Sequence, residues 1–210
     1  MRIEQDIKLD FDDVLIKPKR SVVSSRSEVN IVREFLTRNS QRWLKGIPII
    51  AANLDTVGCP SIAKVMHENN MFTALHKFID KEELVKLFNS EIADSLFYTI
   101  GMTTDDMNKL AYVSAYAKVD KICIDFANGY SEIFINHLKN IRQKYATAII
   151  LAGNVVTGEA VQELLLSGAD FVKIGIGPGK FCKTREITGI GFPQLSASIE
   201  TADYAHGLKG

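Results

Sequence analysis

The stretch A-I-I-L-A-G-N-V-V-T-G-E-A-V-Q-E-L-L-L-S-G-A-D-F-V-K-I-G-I-G, residues 148–177, decides the fold of this 210-residue chain. It opens on a short apolar run, 148–154, with no polar face, which reads as a strand buried on both sides. Residues 158–168 follow, where Val161, Leu164 and Leu165 recur at helical spacing and Gly168 suits the position just past a helix end. A second apolar run, 171–177, completes a strand–helix–strand unit, whose connection is of the kind that joins parallel strands.

The same alternation extends outward in both directions. Further strands are expected at 47–54, 72–77, 95–101 and 121–127. Between them lie amphipathic segments such as 131–145, where Phe134, Leu138, Ile141 and Tyr145 are spaced four, three and four apart. Asp80 followed by Glu83 reads as a capping box opening a helix that carries Leu84, Leu87 and Phe88. Repeated βα units of this kind predict an α/β fold with a parallel sheet covered by helices.

Polar residues gather at the C-terminal ends of the expected strands: Asn53 and Asp55, His76 and Lys77, Asp125 and Asn128, then Asn154. A (β/α)₈ TIM barrel carries its active site on that face. A doubly wound sheet would instead carry a G-x-G-x-x-G turn after its first strand; the turn here is D-T-V-G-C-P. The barrel is favoured. Only six of its eight βα units are expected, because 195–208 reads as the sixth helix. Residues 1–46 lack the pattern and are expected to be an N-terminal extension, with 47–210 an incomplete barrel that stops about three-quarters of the way round.

Composition narrows the function class. Lysine plus arginine equals aspartate plus glutamate at 25 each, which leaves no electrostatic footprint for nucleic acid or acidic membranes. The start, M-R-I-E-Q-D-I-K-L-D, breaks every apolar pair with a charge and reads as neither signal nor transit peptide. No apolar run approaches the roughly 20 residues of a membrane span. Three widely spaced cysteines, Cys59, Cys123 and Cys182, make no disulfide framework and fit a reducing cytoplasm.

The candidate chemistry sits at G-I-G-P-G-K-F-C-K-T-R, residues 175–185. Glycines at 175, 177 and 179 let the backbone turn its amides and carbonyls toward a ligand or ion. Cys182 and Thr184, a thiol and a hydroxyl two residues apart, form a candidate nucleophile and proton relay. Cys59 and Cys123 read as packing, and His67, His137 and His206 as structural or solvated. His76 reads either as a site residue or as a satisfied strand-end histidine. Asp125 reads either as a site carboxylate or as the cap of the next helix.

Several motifs in order resemble one family. They are L-D-F-D-D-V-L-I-K-P-K-R-S (9–21), A-N-L-D-T-V-G (52–58), D-F-A-N-G-Y-S-E (125–132), A-G-N-V-V-T-G-E (152–159), the glycine–cysteine loop, and T-G-I-G-F-P-Q-L-S-A (188–197) with A-D-Y-A-H-G-L (202–208). The chain resembles the IMP dehydrogenase/GMP reductase family of (β/α)₈ barrels over essentially its whole length. It is similar to the reductase branch in particular, because no regulatory domain interrupts the run from Asp80 through Lys121.

The resemblance implies NADPH-dependent deamination of GMP to IMP and ammonia. Cys182 is the implied nucleophile at C2 of the purine and Thr184 the implied proton relay, whose glutamate partner in the family falls beyond residue 210. Ser25, Arg26, Lys77, Asp125, Phe126, Ala127, Ile176 and Gly177 match positions lining the NADPH pocket. Gly177, Gly179, Cys182 and Arg185 match a potassium site. A homotetramer is implied. Where the family loop carries a serine this chain has Lys180, and Phe181 and Lys183 are bulkier than the family's residues. Two alternatives stand beside this reading. One is an IMP dehydrogenase-like oxidoreductase using NAD and water, and the other a non-catalytic truncated form that binds full-length subunits.

Overall fold

The computed structural model of the chain describes residues 5–179 and 182–210. An antiparallel hairpin comes first, β1 (Arg33–Leu36) and β2 (Trp43–Gly46). Six parallel strands follow: β3 (Ile50–Ala51), β4 (Phe72–Ala74), β5 (Leu96–Ile100), β6 (Lys121–Asp125), β7 (Ile149–Val155) and β8 (Phe171–Ile174). Each pairs only with its sequence neighbours, in the order β3-β4-β5-β6-β7-β8. A doubly wound sheet reverses its strand order at a switch point; this sheet does not. It advances in one direction with its crossover helices on one side: α1 (Pro60–Glu68), α2 (Lys81–Phe88), α3 (Thr104–Tyr116), α4 (Glu132–Lys144) and α5 (Gly158–Leu166). Two more helices, α6 (Lys183–Thr188) and α7 (Gln194–Gly207), close the described chain.

The period-two geometry of a strand sorts the apolar residues into two layers. Leu96, Tyr98 and Ile100 of β5, Ile122 and Ile124 of β6, and Ile150 and Ala152 of β7 face the helices. They pack with Leu84, Leu110, Phe134, Leu138 and Leu164. The alternate residues Phe97, Cys123, Ile149 and Leu151 form the inner layer with Phe72, Ala74 and Leu44. The sheet is strongly curved. Flat, its two edges would stand about 24 Å apart, five spacings of about 4.8 Å. Instead Lys173 Nζ on one edge strand donates to Asn53 Oδ1, just past the other edge strand, at 2.8 Å. The expected partial TIM barrel is the observed one.

The structure corrects the sequence reading in four places. Strands β3, β4 and β8 each end three residues earlier than expected while β7 runs one residue further, to Val155, and residues 52–54 leave the ladder beyond β3. The Asp80–Glu83 capping box does not form: Asp80 sits at the N-cap of α2 without a side-chain bond to it. The reciprocal box is at α3, between Thr103 and Asp106. Within residues 1–46 an unexpected hairpin forms, and its β2 inserts Leu44 into the inner layer as a plug at the strands' N-terminal end. Cys59, expected to be packing, is only half-buried at the start of α1, where a hydrogen bond with Ser61 lowers its thiol pKa.

Buried Asp170 fastens the plug. Its Oδ1 accepts from the Asn39 and Ser40 amides of the hairpin turn at 2.8 and 2.9 Å. Its Oδ2 accepts from the Ile150 amide at 3.0 Å and from Arg142 of α4 at 2.7 Å. Among the described residues no helix is long and apolar enough to cross a membrane.

Candidate active site

Three strands bring the first part of the site together by register alone. Asp125 on β6 lies opposite Gly153 on β7, which lies opposite Lys173 on β8. A Cβ on Gly153 would stand 2.5 Å from the Lys173 carbonyl oxygen and 2.6 Å from Lys173 Cβ. Glycine there leaves the opening through which Lys173 crosses β7 to meet Asp125 Oδ1 at 2.5 Å. Asn154 Nδ2 donates to the same oxygen at 3.0 Å, and Asn53 Nδ2 donates to Oδ2 at 2.9 Å. Asn53, Asp125, Asn154 and Lys173 therefore form one polar cluster at the C-terminal mouth of the partial barrel. Asp125 does not cap the following helix; Ser131 does, accepting from the Phe134 amide.

Burial pushes the Asp125 carboxyl upward, but the Lys173 charge and the hydrogen bonds from Lys173, Asn53 and Asn154 together outweigh it and leave its pKa below the ordinary value. A depressed carboxylate contributes stability above its unfolded pKa, about 3.9, and loses it as pH falls through the folded value. In Lys173→Met the burial effect is opposed by two amides only. The Asp125 midpoint, followed by carbon-detected NMR of its carboxyl, is expected to move up. The acid limb of a urea-stability profile is expected to become shallower. A midpoint that stays put contradicts the ion pair's role.

The other sequence-predicted residues divide by position. Phe126 stacks on Phe134 at 5.8 Å between ring centroids, and its backbone exchanges hydrogen bonds with Gly153 and Asn154. This holds Phe126 and exposed Ala127 beside Asp125. Lys77 is exposed past β4, with Nζ 5.5 Å over the Phe78 ring and its carbonyl accepting from Lys109. His76 lies just past β4, its Nδ1 accepting from the Phe78 amide. Ser25 and Arg26 lie exposed in a short 3₁₀ turn, and Ser25 Oγ bonds within that turn to Ser27. No hydrogen bond among the described residues ties them to the strand ends.

The glycine loop leaves β8 with its base closed. The Gly175 amide donates to the Val155 carbonyl at 2.9 Å, and the Phe192 amide to the Ile176 carbonyl at 3.0 Å. Gly177 takes φ +57°, and a Cβ on it would lie 2.9 Å from the Ile190 carbonyl oxygen and 3.0 Å from Arg185 Cβ. The Arg185 stem thus packs where only a glycine fits. Cys182, half-buried, is the N-cap of α6, a helix the sequence reading left as loop. The carbonyls of Gly179 and Cys182 accept from the Cys182 and Glu186 amides at 3.1 Å each. These two carbonyls and that of Gly177 are neutral backbone oxygens close together in the sequence. Lys180, Phe181 and the Thr184 side chain lie outside the described residues. Cys123 is fully buried, and burial pushes its thiol up to about 11, so it is the inert thiol the sequence suggested.

Lys173 is the site residue that sequence reasoning missed. Its signal was a single cation inside the strand F-V-K-I, in register with a glycine and an aspartate on the two strands beside it.

Comparison with known proteins adds an independent line. Residues 8–209 match the IMP dehydrogenase / GMP reductase domain. The chain is 51% identical over 212 residues to GMP reductase 2 of Bos taurus, covering 99% of this chain and 61% of that protein. It is 50% identical over 212 residues to GMP reductase 1 of Homo sapiens, covering 100% of this chain and 61% of that protein. It is 52% identical over 214 residues to GMP reductase of Buchnera aphidicola, covering 100% of this chain and 61% of that protein. The chain thus spans about three-fifths of the length of the curated relatives it matches.

Proposed function

The chain belongs to the IMP dehydrogenase / GMP reductase family, and we propose that it serves the reductive deamination of GMP to IMP and ammonia. The observation that carries this reading is the placement of Cys182. Cys182 starts α6 on a loop whose first amide is hydrogen-bonded to the end of β7 and whose exit residue Gln194 is hydrogen-bonded to the end of β8, at the same face as Asp125.

In this reading the Cys182 thiolate gives its electron pair to C2 of the purine, forming a C–S bond. The bond from C2 to the exocyclic nitrogen breaks, and that nitrogen leaves as ammonia after accepting a proton relayed by the Thr184 hydroxyl. NADPH, when bound, supplies the hydride that forms the new C2–H bond. The C–S bond then breaks and returns its pair to Cys182. The purine gains two electrons, which the cofactor loses.

Asp125, fixed on three sides, offers its remaining Oδ2 lone pair to a donor on the dinucleotide, with Phe126, Ala127, Ile176 and Gly177 alongside. Lys77, Ser25 and Arg26 supply the polar and cationic contacts a phosphorylated dinucleotide needs. The carbonyls of Gly177, Gly179 and Cys182, with Arg185 beside them, would hold a potassium ion that orders the loop. A cytoplasmic homotetramer belongs to the same reading. Nearly fully exposed Leu15, Ile16 and Val22 supply apolar surface for a subunit contact.

Incubation with GMP and NADPH is the test. One NADPH consumed for each IMP and each ammonia formed is the expected stoichiometry. Ammonia without NADPH loss, or NADH from IMP and NAD with no reaction of GMP, overturns the proposal.

A further inference from the structure

The motif at residues 9–21 has no part in the chemistry above, yet its first residues are anchored at the far end of the chain. The Leu9 amide donates to Ser196 Oγ at 2.8 Å, and the Ser196 amide returns a bond to the Leu9 carbonyl at 3.1 Å. Asp10 Oδ1 accepts from the Gln194 amide at 2.6 Å. Gln194 opens α7, whose own N-cap residue is Pro193 and brings no side-chain acceptor. The first amides of a helix have no partner within it. Asp10 therefore supplies, from the other end of the chain, the cap that α7 lacks.

Gln194 also holds the beginning of the glycine loop. Its Nε2 donates to the Ile174 carbonyl at the end of β8 at 3.0 Å, and its Oε1 lies 2.6 Å from where a Cβ on Gly175 would be. One residue thus joins α7, the last residue of β8 and the first of the loop. Asp10, Phe11 and Asp12 line a shallow cavity with Pro178, Gly179 and Gln194, so the N-terminal motif is also a wall against which the loop lies.

We propose that Asp10 is a positioning residue for the Cys182 loop: by capping α7 at Gln194 it pins the loop's exit against its entrance and thereby sets the path of the thiol. The inference rests on the reading of Cys182 as the nucleophile, but its test needs no substrate. Asp10→Ala removes the acceptor, whereas Asp10→Asn keeps an Oδ1 in the same place. The readouts are hydrogen exchange at the Gly175, Phe192 and Gln194 amides, and the rate of Cys182 alkylation by N-ethylmaleimide relative to Cys59 in the same chain.

Asp10→Ala is expected to speed exchange at those three amides about fivefold, the change that follows loss of a helix cap. It is expected to alter the Cys182-to-Cys59 alkylation ratio by a similar factor. Asp10→Asn is expected to restore both, with the amides of α3 and β5 unchanged throughout. Loop amides that exchange as in the parent protein, or an equal acceleration of every amide, overturn the proposal. Should Asp10→Ala fail to fold, Ser196→Ala removes the neighbouring anchor and is expected to loosen the same amides; no loosening there is equally decisive against it. Turnover that survives loss of Cys182 would instead overturn the functional reading and leave the exchange result standing.

Discussion

Cys182→Ala is expected to reduce GMP-dependent NADPH oxidation and ammonia release by about 10⁴-fold or more, the scale seen when a covalent nucleophile is removed. That factor is about 5.5 kcal/mol of barrier. The fold is expected to tolerate the change, since Cys182 is half-buried and belongs to neither apolar core cluster; its stability is expected within about 0.5 kcal/mol of the parent. The other two cysteines supply the contrast. Cys123→Ala empties part of the inner layer and is expected to cost roughly 1 kcal/mol of stability without touching the reacting atoms. Cys59→Ala, at the start of α1 and outside the glycine loop, is expected to leave ammonia release as it was. Parallel assays of NADPH absorbance, ammonia and urea unfolding on the three variants separate these outcomes. Ammonia release that survives in Cys182→Ala removes the thiol from the mechanism.

The βα alternation was legible because β5, β6 and β7 are apolar on both faces, and no half-exposed strand has that composition. Their C-terminal limits were not legible. Asn53, His76 and Lys77 continue extended sequence but lie past the last paired residue, and what ends a strand there is the site, not a local breaker. The hairpin escaped notice for a different reason. R-E-F-L and W-L-K-G show no clean alternation, and their turn is held by Asp170, more than a hundred residues away.

At the site, Asp125, Asn53 and Asn154 were visible as polar residues at strand ends. Whether Asp125 served a ligand or capped a helix was open until register placed it opposite Gly153 and Lys173. Lys173 itself was obscured by its apolar flanks, and α6 by the glycines and the proline on either side of it. The role of residues 9–10 could not be read locally, because a cap supplied from nearly two hundred residues away leaves no mark in the spacing around either partner.

The largest stability effect is expected from Asp170→Ala. The carboxylate is fully buried and accepts four hydrogen bonds, three from backbone amides and one from the largely buried Arg142 guanidinium. Alanine leaves all four donors without this acceptor, and loss of one partner of a buried ion pair costs about 3–5 kcal/mol. With a urea m-value of about 2–3 kcal/mol per M, the unfolding midpoint is expected to fall by about 1.5 M. A drop below about 0.5 M contradicts the assignment of Asp170 as the fastening of the plug.

The direction of the functional effect follows from geometry. Asp170 precedes β8 and ties the hairpin to the strands' N-terminal end, whereas Asp125 and the loop lie at the C-terminal end. In a barrel the first end serves stability and the second serves chemistry. Under conditions where Asp170→Ala remains folded, the Asp125 carboxyl is therefore expected to titrate as in the parent, because Lys173, Asn53 and Asn154 still surround it. An Asp125 midpoint that moves with the Asp170 substitution would mean instead that the plug and the mouth are one cooperative unit, and that the hairpin sets the geometry of the site as well as the stability of the fold.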